Sequence, residues 1–148
     1  MTMEKVKDSI GYLFIKICKS RRNKANEMLA KHGIHAGQDV LLYYLSQQDG
    51  QKVSELVKKV YVQHATISNM INRMVSSGLV TKIKDSHDMR VSRIYLTEKG
   101  KNTLKKVEEV WYSLEEQTLE GLSTEEQILL RRLLQDVLKN FRGTLANI

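Results

Sequence analysis

The spacing of apolar side chains changes along this chain, and that change limits the folds open to it. From Ile10 to Met74 apolar residues recur at intervals of three and four, the repeat of helices that each bury one face. From Leu79 to Leu96 the interval drops to two. Leu79, Thr81 and Ile83 alternate with Val80, Lys82 and Lys84; Ser92, Ile94 and Leu96 alternate with Arg93 and Tyr95. Period two with β-branched and aromatic residues predicts two strands. The segment between them, Asp85-Ser86-His87-Asp88-Met89-Arg90, is polar and too long for a two-residue turn. The strands therefore form a hairpin with a long tip. Past Thr97 the helical interval returns. The fold class is mainly α with a small β-hairpin wing, and the absence of proline agrees with it.

The first helix is expected from about Asp8 to Lys31, with Asp8 as N-cap and Gly33 as the stop. Ile10, Leu13, Phe14, Ile17 and Cys18 share one face. The second, about Ala36 to Gln47, carries Val40, Leu41, Tyr44 and Leu45, and Asp49-Gly50 is a turn signal. The third, Ser54 to Val60, has Ser54 as N-cap and Leu56, Val57 and Val60 as its apolar side. The fourth, His64 to Ser77, points Ile67, Met70, Ile71 and Met74 inward and ends at Gly78. Thr97 caps the fifth, where Leu104, Val107, Trp111, Leu114 and Thr118 form a coiled-coil-like seam. Gly121 interrupts it. Ser123-Thr124-Glu125-Glu126 has the capping-box pattern, and Leu129, Leu130, Leu133, Leu134, Val137, Leu138 and Phe141 follow on a wide apolar face.

A length of 148 residues fits one domain, or one with a helical extension. With 41% apolar and 28% charged residues the chain is expected to be globular. No apolar run approaches the ~18 residues of a membrane span, and the first residues lack a signal peptide's apolar stretch. The lone Cys18 excludes an intrachain disulfide framework. A cytoplasmic protein without a membrane partner is expected. No Gly-rich phosphate loop, Ser-His-Asp order or H-E-x-x-H motif is present, so no enzyme is expected. His32, His35 and Asp39 are candidate metal ligands, but they straddle a turn without a fourth of the usual kind. A solvated turn is preferred, with no metal and no cofactor.

The net charge of +7 is unevenly spread. Residues 51–95 carry eight basic and three acidic side chains, net +5, whereas residues 96–148 carry eight basic and nine acidic, net −1. A polyanion would bind the middle of the chain; a solvated basic surface is the alternative. Two short helices joined by Tyr61-Val62-Gln63, with Val62 plugging the corner, make a helix-turn-helix, and the hairpin makes its wing. The outer face of the second helix offers His64, Ala65, Ser68, Asn69, Asn72 and Arg73: small or hydrogen-bonding side chains and one cation. Such a face suits a DNA major groove; an ordinary amphipathic helix is the alternative. No Asp or Glu occurs from Lys59 to Lys84, which favours the groove. Lys82, Lys84, Arg90 and Arg93 lie on or beside the hairpin. Asp88, two residues from Arg90, can pin that guanidinium for a narrow minor groove, or the two form a surface ion pair worth little.

These residues resemble the MarR-type winged-helix transcriptional regulators over nearly the whole chain. The stretch Asp85 to Gly100 is similar to that family's wing and following helix start, where a D-x-R pair precedes L-T-x-x-G. Ala65 to Met74, ending at Gly78-Leu79-Val80, resembles its recognition helix. Ile10-Gly11-Tyr12-Leu13 and Lys31-His32-Gly33-Ile34 are similar as well. The resemblance implies a homodimer built from N- and C-terminal helices, bound to a pseudo-palindromic operator, usually as a repressor. It implies three parts: an N-terminal dimerisation helix (1–35), a winged helix-turn-helix domain (36–97) and C-terminal dimerisation helices (98–148). It puts Ser68, Asn69 and Arg73 on the DNA-facing helix, Thr66 near phosphates, Arg90 at the wing tip and Asp88 as its positioning partner. The chain departs from the family at Gln63-His64, where a Ser N-cap and Pro are common, at Tyr61, where Gly is common, and at Asn69, where Arg is common. Asn69 suits adenine through a bidentate contact.

The family often senses small aromatic or phenolic effectors in a cleft beside the DNA-binding lobe. Tyr12, Tyr43, Tyr44 and Trp111 are the candidates for lining one, with ordinary packing as the preferred alternative. Leu104, Val107, Trp111, Leu114, Leu133, Val137 and Phe141, with the first helix, exceed what a small winged helix can cover, which also points to a dimer. Some relatives sense peroxide through an N-terminal cysteine, at a position where this chain has Gly11. Cys18 lies about two turns later on a stripe expected to be buried, where a thiol is inert. A redox-sensing regulator, or a helical protein-interaction module that does not touch DNA, are the rival functions.

Overall fold

The computed structural model describes residues 3–60 and 63–141. Tyr61 and Val62, expected to turn the helix-turn-helix corner, lie outside the described residues. The elements run α1 (Met3–Lys7), α2 (Ile10–Ala30), α3 (Gln38–Gln47), β1 (Gln51–Lys52), α4 (Val53–Val60), α5 (His64–Ser76), β2 (Val80–Lys84), β3 (Ser92–Leu96), α6 (Glu98–Leu119) and α7 (Thr124–Lys139). None of the described helices is long and apolar enough to cross a membrane. The chain divides into two compact units, the first ending at Leu114 and the second starting at Glu115. The division falls inside α6, and the first unit runs across residues 35/36 and 97/98, where the sequence suggested boundaries.

In the first unit one apolar core forms. Leu29 of α2, Leu41, Leu42 and Leu45 of α3, Leu56 of α4 and Ile67, Ile71 and Met74 of α5 are buried together. Val80 and Ile94 supply the sheet side of that core, and Leu104, Val107 and Val110 of α6 close it. Of the α6 seam, Leu104, Val107 and Trp111 thus pack on the chain's own winged helix. The exposed stripes lie elsewhere: Ile10, Leu13 and Ile17 on α2, and Leu129, Leu133, Leu134, Val137, Leu138 and Phe141 along and just beyond α7. Cys18 is exposed as well. The expected burial of its thiol is therefore corrected: the apolar stripe of α2 faces away from the core until Met28 and Leu29.

The sheet has three antiparallel strands in the order β1-β3-β2. β3 is central. It pairs with β2 along its length, from Val80↔Leu96 to Lys84↔Ser92, and with β1 at Gln51↔Ile94 and Lys52↔Arg93. The two-residue β1 was not legible as a strand. Gln51 anchors it: this buried side chain donates from Nε2 to the carbonyls of Tyr44 (2.7 Å) and Gln48 (2.6 Å).

Several helix starts differ from expectation. Ser9, not Asp8, caps α2, its Oγ accepting from the Tyr12 N–H at 3.1 Å. Ser54 lies inside α4, which begins at Val53. There the Glu55 carboxylate accepts from the Lys52 N–H at 2.7 Å, so an acidic first turn does the capping. Thr97 caps α6 as expected, accepting from the Gly100 N–H at 3.0 Å. Ser123 and Glu126 complete the capping box of α7. Gly100 is fixed by close approach: a Cβ there would stand 2.1 Å from the Leu79 carbonyl oxygen.

Candidate nucleic-acid interface

Helix α5 sits on the core by the 3.6-residue repeat of Ile67, Met70, Ile71 and Met74. That repeat turns His64, Ala65, Thr66, Asn69, Asn72 and Arg73 outward, all exposed, with Ser68 half-exposed. Ser68 Oγ and His64 Nδ1 lie 3.3 Å apart, one turn along the helix. The N-cap Gln63 makes no side-chain capping bond. The first-turn N–H groups of α5 therefore receive nothing from the Gln63 side chain. On β2, Lys82 and Lys84 are exposed. The outward face of α5 and β2 carries no carboxylate, because none exists between residues 59 and 84.

The loop from β2 to β3 is built on two Asp–Arg pairs. Arg90 donates to Asp88 through Nε (3.1 Å) and Nη2 (3.4 Å), and its backbone N–H donates to the same carboxylate at 3.0 Å. The guanidinium is thus held by a bidentate contact yet stays 92% exposed. These hydrogen bonds, from the Arg90 side chain first and its backbone second, lower the Asp88 pKa. The pinning expected of Asp88 is present.

Asp85 is the site residue that sequence reasoning missed. It is buried, and its carboxylate accepts from Arg93 Nε and from the N–H groups of His87 and Asp88, both at 3.1 Å. The Arg93 bond and those two amides outweigh burial and hold its pKa down at about 2, from an ordinary 3.8. The signal was present as Asp-Ser-His-Asp, an Asp whose side chain can bond the backbone two residues on. Arg93, expected among the DNA-facing cations, is turned inward. Besides Asp85 it donates from Nη1 to the Gly50 carbonyl at 2.9 Å. Asp49 adds a second link, accepting from the Leu96 N–H at 2.9 Å. The wing is therefore tied to the α3–β1 turn through its base, and Arg93 is spent on that tie.

The aromatic candidates divide. Tyr43 packs tilted on Tyr44 (5.5 Å between centroids) and edge-on to Trp111 (5.6 Å). Trp111 Nε1 donates to Asp39 Oδ2 at 2.9 Å, and Asp39 also accepts from the Gly37 N–H at 3.0 Å. Asp39 thus turns to Trp111 and the α3 start. Tyr12 belongs to α2 and lies under Lys16, 5.9 Å from Nζ to ring centre, apart from the Tyr43, Tyr44 and Trp111 ring–ring contacts.

A short helix, a second helix with an outward polar face and a hairpin on a third strand together define a winged helix-turn-helix protein. Within that class the chain is similar to the MarR family, whose model matches residues 34–92. Over 86 residues it is 33% identical to the HTH-type transcriptional regulator YsmB of Bacillus subtilis. That match takes in 58% of this chain and 59% of YsmB, so the chain spans less than two thirds of that relative. Its fold matches a putative MarR-like transcription regulator from Bacillus cereus with a TM-score of 0.84 at 20% identity, covering 95% of this chain and 100% of the other. It matches a mutant of Escherichia coli MarR, solved with operator DNA, with a TM-score of 0.79 at 23% identity over 93% and 99% of the two chains.

Proposed function

We propose that this protein is a transcriptional regulator that binds a pseudo-palindromic operator as a homodimer and represses until a small aromatic or phenolic effector releases it. The observation that carries this reading is the pairing of an acid-free, outward α5 face with an Arg90 held outward by Asp88. Ser68, Asn69 and Arg73, with His64 and Ala65, would meet base edges in a major groove, and Thr66 the backbone. Lys82 and Lys84 would meet phosphates, and Arg90 the flanking minor groove. Arg93 braces the wing and leaves the list of contacts. The operator DNA held by the Escherichia coli MarR structure supports the partner.

The exposed apolar stripes of α2 and α7 support dimerisation through the N- and C-terminal helices, 1–35 and 98–148. The Tyr43, Tyr44 and Trp111 rings are the effector candidates, Tyr43 being exposed. An effector acts only by favouring one arrangement of the two lobes.

Duplex binding measured at rising salt tests the reading. Affinity is expected to fall steeply, with a slope of about −0.9 for each phosphate neutralised. Equal, weak binding to every duplex would favour a protein-interaction module instead. Sedimentation at micromolar concentration is expected to give a dimer, and Val137→Glu a monomer that keeps its helical content. A wild-type monomer would contradict the two-half-site arrangement.

A further inference from the structure

We propose that Met89 is an apolar wedge that enters the minor groove beside Arg90 and opens one base step on each flank of the operator. The inference rests on the operator-binding reading above. Met89 stands between the two members of the tip clamp and is 66% exposed, more than Ile83, the other exposed apolar side chain of the wing. A single exposed apolar residue is ordinary on a protein surface. This one differs in what stands behind it. The Asp85 N–H bonds the Val91 carbonyl and the Val91 N–H bonds the Asp88 carbonyl, both at 2.9 Å. The His87 and Asp88 N–H groups are held by Asp85, and the Arg90 N–H by Asp88. Asp85 in turn is tied through Arg93 to the Gly50 carbonyl.

A side chain that unstacks bases must be pushed from a loop that does not yield, and this loop is braced at five amides. The chemistry fits as well. Wedges in minor grooves are apolar, methionine among them. An unbranched thioether adapts to an irregular gap between bases. Arg90 provides the electrostatic attraction that brings the tip to the groove, and Met89, one residue away, arrives with it. The site would therefore prefer a readily unstacked step, TA or CA/TG, at a position where no hydrogen bond to a base edge is made.

The test uses the full chain and an inverted-repeat duplex selected with it from a random pool, carrying 2-aminopurine at each flanking step in turn. Wild type is expected to raise the fluorescence at one step per flank. Met89→Ala is expected to abolish that rise and weaken binding roughly tenfold, with the salt slope unchanged because no charge is lost. Met89→Leu is expected to keep both the rise and the affinity. Selective binding with no fluorescence rise at any step, or with a rise that survives Met89→Ala, overturns the wedge and leaves the operator-binding reading intact. Failure to select any duplex overturns both.

Discussion

The wing holds two Asp–Arg pairs of the same chemistry, and they are put to opposite uses. At its base Asp85 and Arg93 are 8% and 34% exposed; at its tip Asp88 and Arg90 are 42% and 92% exposed. The base pair turns inward, gathering the His87 and Asp88 amides on one side and the Gly50 carbonyl on the other. The tip pair turns outward, with one edge of the Arg90 guanidinium satisfied and the rest facing solvent. A carboxylate under several donors fixes backbone, whereas a carboxylate beside one exposed arginine only orients it. The base sets where the wing stands, and the tip sets what it offers.

Breaking the base is expected to have the larger effect. Arg93→Ala leaves Asp85 charged without its strongest partner and cuts the tie to Gly50. Amide exchange protection across residues 83–93 should be lost, and duplex affinity should fall on the order of 100-fold. Protection unchanged from wild type would show that the base pair braces nothing. Arg90→Ala is expected to cost roughly tenfold in affinity and lower the salt slope by about one, with wing protection intact. A loss of protection there would erase the distinction between base and tip. Asp88→Asn keeps the cation but loosens it, so about threefold is expected, with no change in slope.

The same contrast sets a pH dependence. Asp85 titrates lower folded than unfolded, so its contribution is complete above pH ~3.8 and is lost as pH falls through about 2. Carboxyl-carbon NMR should find Asp85 titrating near 2. An ordinary value of 3.8 would mean the Arg93 bond does not form in solution.

Much of this was legible in the residues. The helices from α2 onward follow from the three-and-four spacing, β2 and β3 from alternation, and the Asp88–Arg90 clamp from its two-residue separation; α1 was not read from the sequence. The MarR resemblance holds. Spacing shows that a side chain belongs to an apolar stripe, not what covers that stripe. Leu104 and Val107 repeat like a dimer seam, yet they close their own chain's core. Cys18 repeats with Ile17, yet that part of α2 faces outward. Arg93 was counted by charge, and charge does not give direction. β1 is two residues long, too short for alternation, and exists because Gln51 and Lys52 pair with β3.

Selection of duplexes from a random pool, followed by footprinting of the enriched sequence, measures the central claim most directly. The expected product is an inverted repeat with half-site centres about one helical turn, roughly 34 Å, apart. Two protected major-groove segments should be flanked by protection in the minor groove. Enrichment of no sequence, or of a single unrepeated site bound by one chain, would contradict it.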